Sequence, residues 1–217
     1  MQKNGLSSIT KKLIMAITGG GLVFFLLFHG AMNIVSIISE DGYRWICEFL
    51  GANWYALVGT MGLAVLVALH LIYAFILSYQ NFKARGRQRY AVNERPEGVS
   101  WASKNMLAIG AFILFGLCFH LYDFWSKMQL AEIKGGAPVD GIDQIKFIFS
   151  HNYFSVMYLL WLVAIWFHLS HGIASVMQSI GWNNHVWQHR IEFLGKLFAF
   201  IIVMLFIPVV IYYWLIV

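Results

Sequence analysis

Five long apolar blocks are the feature of this sequence that most limits what it can fold into. They cover residues 13–38, 54–79, 106–125, 153–180 and 194–217. Each block has at least the roughly 20 residues that an α-helix needs to cross the hydrocarbon core of a bilayer. Only 12% of the residues are charged, about half the share found in a soluble domain. The blocks therefore predict an all-α membrane protein with five transmembrane helices in a single domain, residues 1–217.

The distribution of positive charge predicts the orientation. Lys3, Lys11 and Lys12 precede the first block, the 81–104 connection is rich in Lys and Arg, and the 39–53 loop is net acidic. By the positive-inside rule we expect a cytoplasmic N-terminus and an external C-terminus. The first block is too long for a secretory signal, so we expect it to be retained as a span. The net charge of +5 then reflects inner-face loops and not a nucleic-acid-binding surface.

Histidine is the chemistry-bearing residue inside the blocks, with one or more on each of the first four. These histidines are His29, His70, His120, His168 and His171. Ionisable residues inside a membrane are functional candidates by default. A single one is often a neutral side chain hydrogen-bonded to a neighbouring helix, but that explanation is less economical for four successive helices.

Depth in the membrane divides the histidines into two levels. With a helical rise of about 1.5 Å per residue, His29 and His120 lie roughly 25 and 20 Å from the cytoplasmic ends of their spans. His70 and His168 lie roughly 15 and 18 Å from those ends, and His171 also fits this inner level. Two levels with two histidines each are what two bis-histidine haems stacked in a four-helix bundle require.

Three glycines repeat this spacing: Gly19, Gly59 and Gly110 precede the histidines of their own blocks by ten or eleven residues. The interval is about three helical turns, so each glycine faces the same side as its histidine, roughly 15 Å away. A helix that binds one haem needs room for the other haem at that height, and glycine provides it. Small-residue packing between membrane helices produces the same pattern without a haem.

The cysteines restrict the type of cofactor. Two cysteines without a CxxCH motif exclude the usual covalent haem attachment and an all-thiolate iron–sulfur cluster. Bis-histidine ligation fills both axial positions and leaves none for oxygen or substrate. The predicted activity is therefore electron transfer across the membrane.

With its five helices and four histidine-bearing spans, the chain resembles the di-haem cytochrome b membrane anchor of succinate:quinone oxidoreductases and quinol:fumarate reductases. The resemblance extends over the whole chain. It is carried by "FFLLFHGAMN", "VALHLIYAF", "GLCFHLYDFW" and "FHLSHGIASVMQSIGW" in the first four spans and by "ICEFLGANWY" in the first outer loop.

The resemblance implies a ligand set. Counting back from the pair at 180–181 that closes the fourth helix selects His168 over His171. The implied pairs are His70 with His168 at the inner level and His29 with His120 at the outer level, as axial ligands of the two haem irons.

The resemblance also implies partners and a site for quinone. An iron–sulfur subunit backed by a flavoprotein would dock on the cytoplasmic face of a bacterial inner membrane, and the dicarboxylate active site would lie on the flavoprotein. Menaquinone or menaquinol would react at the outer side, with Glu48 taking the quinol proton. Dimerisation of the whole complex is a further implication.

Two positions depart from the family pattern. Trp166 stands where some relatives have a glutamate used for proton transfer, and Ser179 stands where some have a lysine. The remaining residues at the height of the inner haem propionates are Lys11, Lys12, Thr18, Trp101 and Lys104. His151, His185 and His189 lie in connections, the first near the outer quinone region and the others on the inner face.

Two alternatives remain at this stage. One is a di-haem cytochrome b of another membrane dehydrogenase, of the hydrogenase or formate dehydrogenase type. The other is a transporter or proton channel with a histidine relay, for which broken helices or mid-membrane charges are expected. Pro208, in the block that lacks histidine, is the one proline inside a block, so the relay is the weaker alternative.

Overall fold

The computed structural model describes residues 7–85, 101–182, 184 and 186–217, and no strand occurs in these ranges. Its helices are α1 (Ser8–Ile38), α2 (Glu40–Phe49), α3 (Trp54–Arg85), α4 (Trp101–Lys104), α5 (Met106–His120), α6 (Gln129–Ile133), α7 (Gly141–Phe149), α8 (Asn152–Ser179), α9 (Gln188–Met204) and α10 (Ile207–Ile216), and a π-helical turn, Leu121–Trp125, follows α5 directly. His185, Lys3 and most of the basic 81–104 connection lie outside the described residues.

The prediction of five membrane-spanning helices is confirmed. Five helical segments are long and apolar enough to cross a bilayer: Ser8–Ile38, Trp54–Ala84, Met106–Trp125, Asn152–Ser179 and Gln188–Ile216. The first and second segments extend beyond their apolar blocks by five residues each. These extensions carry lysines, whose long apolar stems allow a helix to continue past the hydrocarbon boundary.

The fifth span consists of two helices, where the sequence predicted one. Pro208 has no N–H to donate to the carbonyl of Met204, and its ring would collide with that carbonyl in a continuous helix. Accordingly, α9 ends at Met204 and α10 begins at Ile207. The N–H groups of Leu205 and Phe206 instead bond to carbonyls three residues back, at 3.1 and 3.0 Å. The break directs these two side chains against α1, where they contact Gly30.

The helices do not pack equally tightly. Helix α1 packs against α3 and α8, and α8 packs against α5 and α9. The main core lies between α7, α8, α9 and α10. Helix α3 has its extensive described contacts with α1 alone, and none of its side chains in 54–84 is buried. A space is therefore left between α3 and the α5–α8 pair.

Two short helices, α2 and α7, cover one end of the bundle, and together they are called the outer cap here because the predicted orientation puts this end outside. The sequence predicted only loops in these connections. Ion pairs join the two helices, with Lys146 2.7 Å from Glu40 and Arg44 3.0 Å from Asp140. Asp140 also caps α7 by accepting hydrogen bonds from two N–H groups of its first turn.

Candidate paired-histidine sites

His29 and His120 form the outer pair, next to the outer cap. Their ring centres are 5.8 Å apart and the ring planes are inclined by 77°. His29 comes from α1 and His120 from the last turn of α5, so the pair joins two helices that share few other contacts. Phe25 stacks on His29 with ring centres 5.3 Å apart, and Phe206 from the break in the fifth span lies 5.7 Å from it.

His70 and His168 form the inner pair, and they reach across the space between α3 and α8. Their ring centres are 6.1 Å apart and the ring planes are inclined by 70°. No ring contact among the described residues involves His171, three residues further along α8. The geometry thus brings His168, and not His171, opposite His70.

The ring separations match what an axial metal site needs. A metal–imidazole bond is about 2 Å long and each ring centre lies about 1 Å behind its nitrogen, so two rings on opposite sides of one iron are about 6 Å apart. The observed separations are 5.8 and 6.1 Å. The spacing within each pair therefore fits two imidazole ligands of one iron.

A hydrogen bond orients one ring of the inner pair. Nδ1 of His70 lies 3.4 Å from Oγ1 of Thr18. The same hydroxyl donates to the carbonyl of Ile14 at 2.9 Å, so it is free to accept the Nδ1–H of His70. This arrangement keeps the proton on Nδ1 and leaves the lone pair of Nε2 for a metal, as outer-shell partners of histidine ligands do. Thr18, expected near the propionates, therefore contacts the imidazole.

The other rings are held differently. Nδ2 of Asn33 lies 3.5 Å from both ring nitrogens of His29 and donates to the backbone carbonyl of that residue at 2.8 Å. Nδ1 of His120 and Nδ1 of His168 are buried and have no hydrogen-bond partner in the described structure. Each pair thus combines one ring with a polar neighbour and one ring held by packing alone.

The glycines give the distance between the two sites. A Cβ placed on Gly19 would lie 3.4 Å from the His70 ring, and one on Gly110 would lie 4.0 Å from the His168 ring. Both glycines are therefore at the height of the inner pair. The outer-pair histidines follow ten residues later on the same helices, which puts the two pairs about 15 Å apart. At Gly59 no described atom lies within 4 Å of the added Cβ, consistent with the space beside α3.

The residues predicted to lie at the height of the haem propionates differ in the contacts that they make. Trp101, in α4, packs on Phe167 with ring centres 5.5 Å apart, next to His168 in the chain. The side chains of Lys11, Lys12 and Lys104 make no hydrogen bond or ion pair with any described residue. These three cations are therefore available at the inner end.

Two of the three histidines in connections are described. Nδ1 of His151 lies 2.9 Å from the carbonyl oxygen of Phe147, where the ring closes the turn between α7 and α8. His189 is exposed on the first turn of α9, beside Arg190. Neither ring takes part in the two pairs.

Glu48, the predicted proton acceptor, lies on the exposed side of α2. Its carboxylate has no partner among the described residues. The opposite side of α2 is buried, and desolvation there raises the pKa of Cys47 to about 11 and also raises the pKa of Tyr43. The hydrogen bond and the charge of Lys146 lower the pKa of the partly exposed Glu40. The cap is thus stabilised by charge outside and by neutral groups inside.

One buried acidic residue was missed in the sequence. Asp123 lies in the π-helical turn after His120, and only 3% of its surface is exposed. It accepts a hydrogen bond from the hydroxyl of Tyr158 at 3.2 Å. Its position inside an apolar block, three residues after a histidine, was the available signal.

Comparison of the chain with protein-family models, with curated proteins and with solved structures gives no match in any of the three. The function is therefore inferred from the geometry of the two histidine pairs and from the sequence motifs.

Proposed function

We propose that this chain is the membrane anchor and electron-transfer subunit of a succinate:quinone or quinol:fumarate oxidoreductase. In this proposal two b haems, when bound, supply one-electron transfer between menaquinone or menaquinol and a cytoplasmic iron–sulfur subunit. His29 and His120 hold the outer haem, and His70 and His168 hold the inner haem. The succinate or fumarate chemistry takes place on a partner flavoprotein.

The observation that supports this proposal most directly is the presence of two cross-helix histidine pairs whose ring centres are 5.8 and 6.1 Å apart. Isolated buried histidines pair with neighbouring polar groups and do not need to face a second histidine at about 6 Å. Two such pairs about 15 Å apart along the same helices favour a relay of electrons over a single structural metal site. In each pair one ring has a polar neighbour, Thr18 at His70 and Asn33 at His29, and the other ring is held by packing.

The chain's own residues perform three tasks in this function. The imidazoles are held edge to face across the bundle, where each pair would hold one haem iron and would leave no coordination site for a small molecule. Thr18 keeps the His70 ring in the tautomer that binds a metal through Nε2. Glu48, exposed on α2 in the outer cap, is free to take a proton when a quinol is oxidised at that end.

Haem content tests the ligand assignment. The purified wild-type chain is expected to contain two protohaems by the pyridine haemochrome assay. His168→Ala is expected to lose one haem, and the neighbouring His171→Ala, its matched control, to keep both. A folded wild-type chain without haem would refute the cytochrome proposal, and loss in His171→Ala alone would refute the ligand assignment.

The donor to the haems distinguishes the family from the alternative dehydrogenases. The complex is purified from native membranes through a tag on this chain, and the α-band of haem b is recorded. Succinate is expected to reduce the haem, and fumarate to reoxidise it after quinol reduction. Reduction by hydrogen or formate, with no response to either dicarboxylate, would assign the chain to a different dehydrogenase.

A further inference from the structure

Asp123 is the one acidic residue that is buried within the described parts of the five spans. The only other acidic residue in these spans, Glu192, is partly exposed in the first turns of α9. A carboxylate in a low-dielectric region is unfavourable unless partners compensate it. The burial of Asp123 therefore indicates a functional role, and the residue lies three positions after His120 in the chain.

The backbone around Asp123 is fixed from two sides. The π-helical turn Leu121–Trp125 starts directly after His120, and such turns occur often at functional sites because they redirect side chains. The buried side chain of Gln144, from α7, donates to the carbonyl of Asp123 at 2.7 Å. This bond connects the turn to the outer cap.

Tyr158, from α8, links the carboxylate to the outer pair. Its hydroxyl donates to Oδ2 of Asp123 at 3.2 Å, and its ring makes a T-shaped contact with the ring of His120, with ring centres 6.2 Å apart. Phe149 and Trp161 pack on the same ring, with ring centres 5.4 and 5.8 Å away. Tyr158 is almost fully buried, so its ring has little freedom to turn its hydroxyl away from Asp123.

We propose that Asp123 is a positioning residue that acts through Tyr158 to orient His120, and that its negative charge lowers the reduction potential of the outer haem relative to the inner one. This inference rests on the proposed function. A negative charge nearby stabilises the oxidised, more positively charged iron over the reduced iron. Coulomb energy falls with distance, so the inner pair, about 15 Å further along the bundle, is affected much less. The step is the gain of one electron by the iron, with no bond formed or broken.

Redox titration of the haem α-bands tests this inference on the purified chain with its haems. Asp123→Asn keeps the size of the side chain and an oxygen for Tyr158, but removes the charge. We expect two haems per chain, a higher midpoint for the outer haem and an unchanged midpoint for the inner haem. Asp123→Glu is expected to restore a midpoint near that of wild type. The outer component is identified as the one that is missing in His29→Ala.

Two further variants make the result decisive. Glu192→Gln removes a carboxylate at the other end of the bundle and is expected to leave the outer midpoint unchanged. Tyr158→Phe keeps the carboxylate, its charge and the ring packing but removes the hydrogen bond. The low outer midpoint is therefore expected to persist, while the electron paramagnetic resonance signal of the oxidised outer haem, which depends on the orientation of its imidazole ligands, is expected to shift. If Asp123→Asn does not fold, Asp123→Ser, which also keeps an oxygen for Tyr158 and removes the charge, is titrated in its place.

The inference is overturned if the outer midpoint of Asp123→Asn, or of Asp123→Ser in its place, equals that of wild type while both haems are retained, or if the resonance signal of the outer haem in Tyr158→Phe equals that of wild type. Failure of the proposed function gives a different result, since the wild-type chain would then contain no haem to titrate.

Discussion

Gly19 provides a test of the inner pair in which the expected effect follows from measured distances. A Cβ at this position would lie 3.4 Å from Cε1 and 3.7 Å from Nδ1 of His70. These are ordinary van der Waals separations, so alanine fits without displacement of the ring. Because glycine in a helix interior is less stable than alanine by about 0.5–1 kcal/mol, Gly19→Ala is expected to raise the stability of the protein slightly and to keep both haems.

Gly19→Leu adds three more carbon atoms beyond that Cβ and forces them into the region of the His70 ring. Overpacking of this kind typically costs about 1–3 kcal/mol. If the strain is relieved by displacement of the ring, haem affinity at the inner pair falls by about 5-fold to 150-fold, since 1.4 kcal/mol corresponds to a factor of ten. The outer pair lies about 15 Å further along α1 and is expected to retain its haem.

Gly20→Leu is the matched control, because no described atom lies within 4 Å of a Cβ at Gly20. The same side chain is then added one residue away, to a position with open space around it. Haemin is titrated into each variant after haem depletion, and the affinity of each of the two sites is measured. Equal loss in Gly19→Leu and Gly20→Leu, or two unaltered sites in Gly19→Leu, would refute the placement of Gly19 beside the inner pair.

The remaining predictions concern the support of the two sites and of the outer cap. Thr18→Val removes the acceptor for the Nδ1–H of His70, a bond of about 1 kcal/mol, and is expected to raise the midpoint of the inner haem in a redox titration. Thr18→Ser, which keeps the hydroxyl, is the control. Equal midpoints in the two variants would contradict the role of the hydroxyl. Gly30→Ala would place a Cβ 2.9 Å from the ring of Phe206. The melting temperature of this variant in detergent is expected to be lower than that of wild type, by an amount that corresponds to about 1–3 kcal/mol. An unchanged melting temperature would show that the fifth span moves to accommodate the methyl group. The pKa of Glu40 is lowered by its cationic partners, so its contribution to the cap is present above its unfolded pKa and is lost as pH falls through its folded pKa. The protection factors of the α2 amides, in which the intrinsic pH dependence of exchange is divided out, are expected to fall as pH falls through this window in wild type. Glu40→Gln is expected to show low protection factors at every pH, and parallel profiles in the two proteins would contradict the ion pairs.

Spans and histidine levels could be predicted from the sequence because both depend on local properties. Long apolar blocks form helices in a bilayer whatever their neighbours are, and a fixed rise per residue converts sequence position into depth. The choice between His168 and His171 could not be made in this way. It depends on how α8 is rotated relative to α3, and only the packing of whole helices determines that rotation.

The outer cap could not be predicted for a related reason. Helix α7 has only nine residues, which is too short to be stable alone. It is helical because Asp140 caps it and its apolar side packs on α8 and α10. The burial of Asp123 is a consequence of this packing, since Gln144 of α7 covers the turn that carries it. Without α7, the same aspartate would be interpreted as a polar residue at the membrane surface.

Pro208 illustrates how a visible signal can be given too little weight. The sequence places it in the one span without histidine, which suggests that it has no connection with the sites. The helix break that it causes brings Phe206 to within 5.7 Å of His29, measured between ring centres. A residue that ends one helix thus contributes to a histidine pair formed by two other helices.

The environments of the two pairs suggest that they are tuned by different means. The inner pair faces the space beside α3 and has a hydroxyl partner at His70. Hydrogen bonding to the ligand and access of solvent are therefore the factors that would adjust a reduction potential there. The outer pair is enclosed by aromatic rings and by the cap, with the carboxylate of Asp123 nearby. Burial and fixed charge are therefore the factors that would adjust a reduction potential there. Burial and hydrogen bonding both change the potential of a metal centre. If the two pairs hold haems as proposed, two sites built from the same ligands would therefore acquire different potentials, and such a difference would give the two carriers a direction in which electron transfer is favourable.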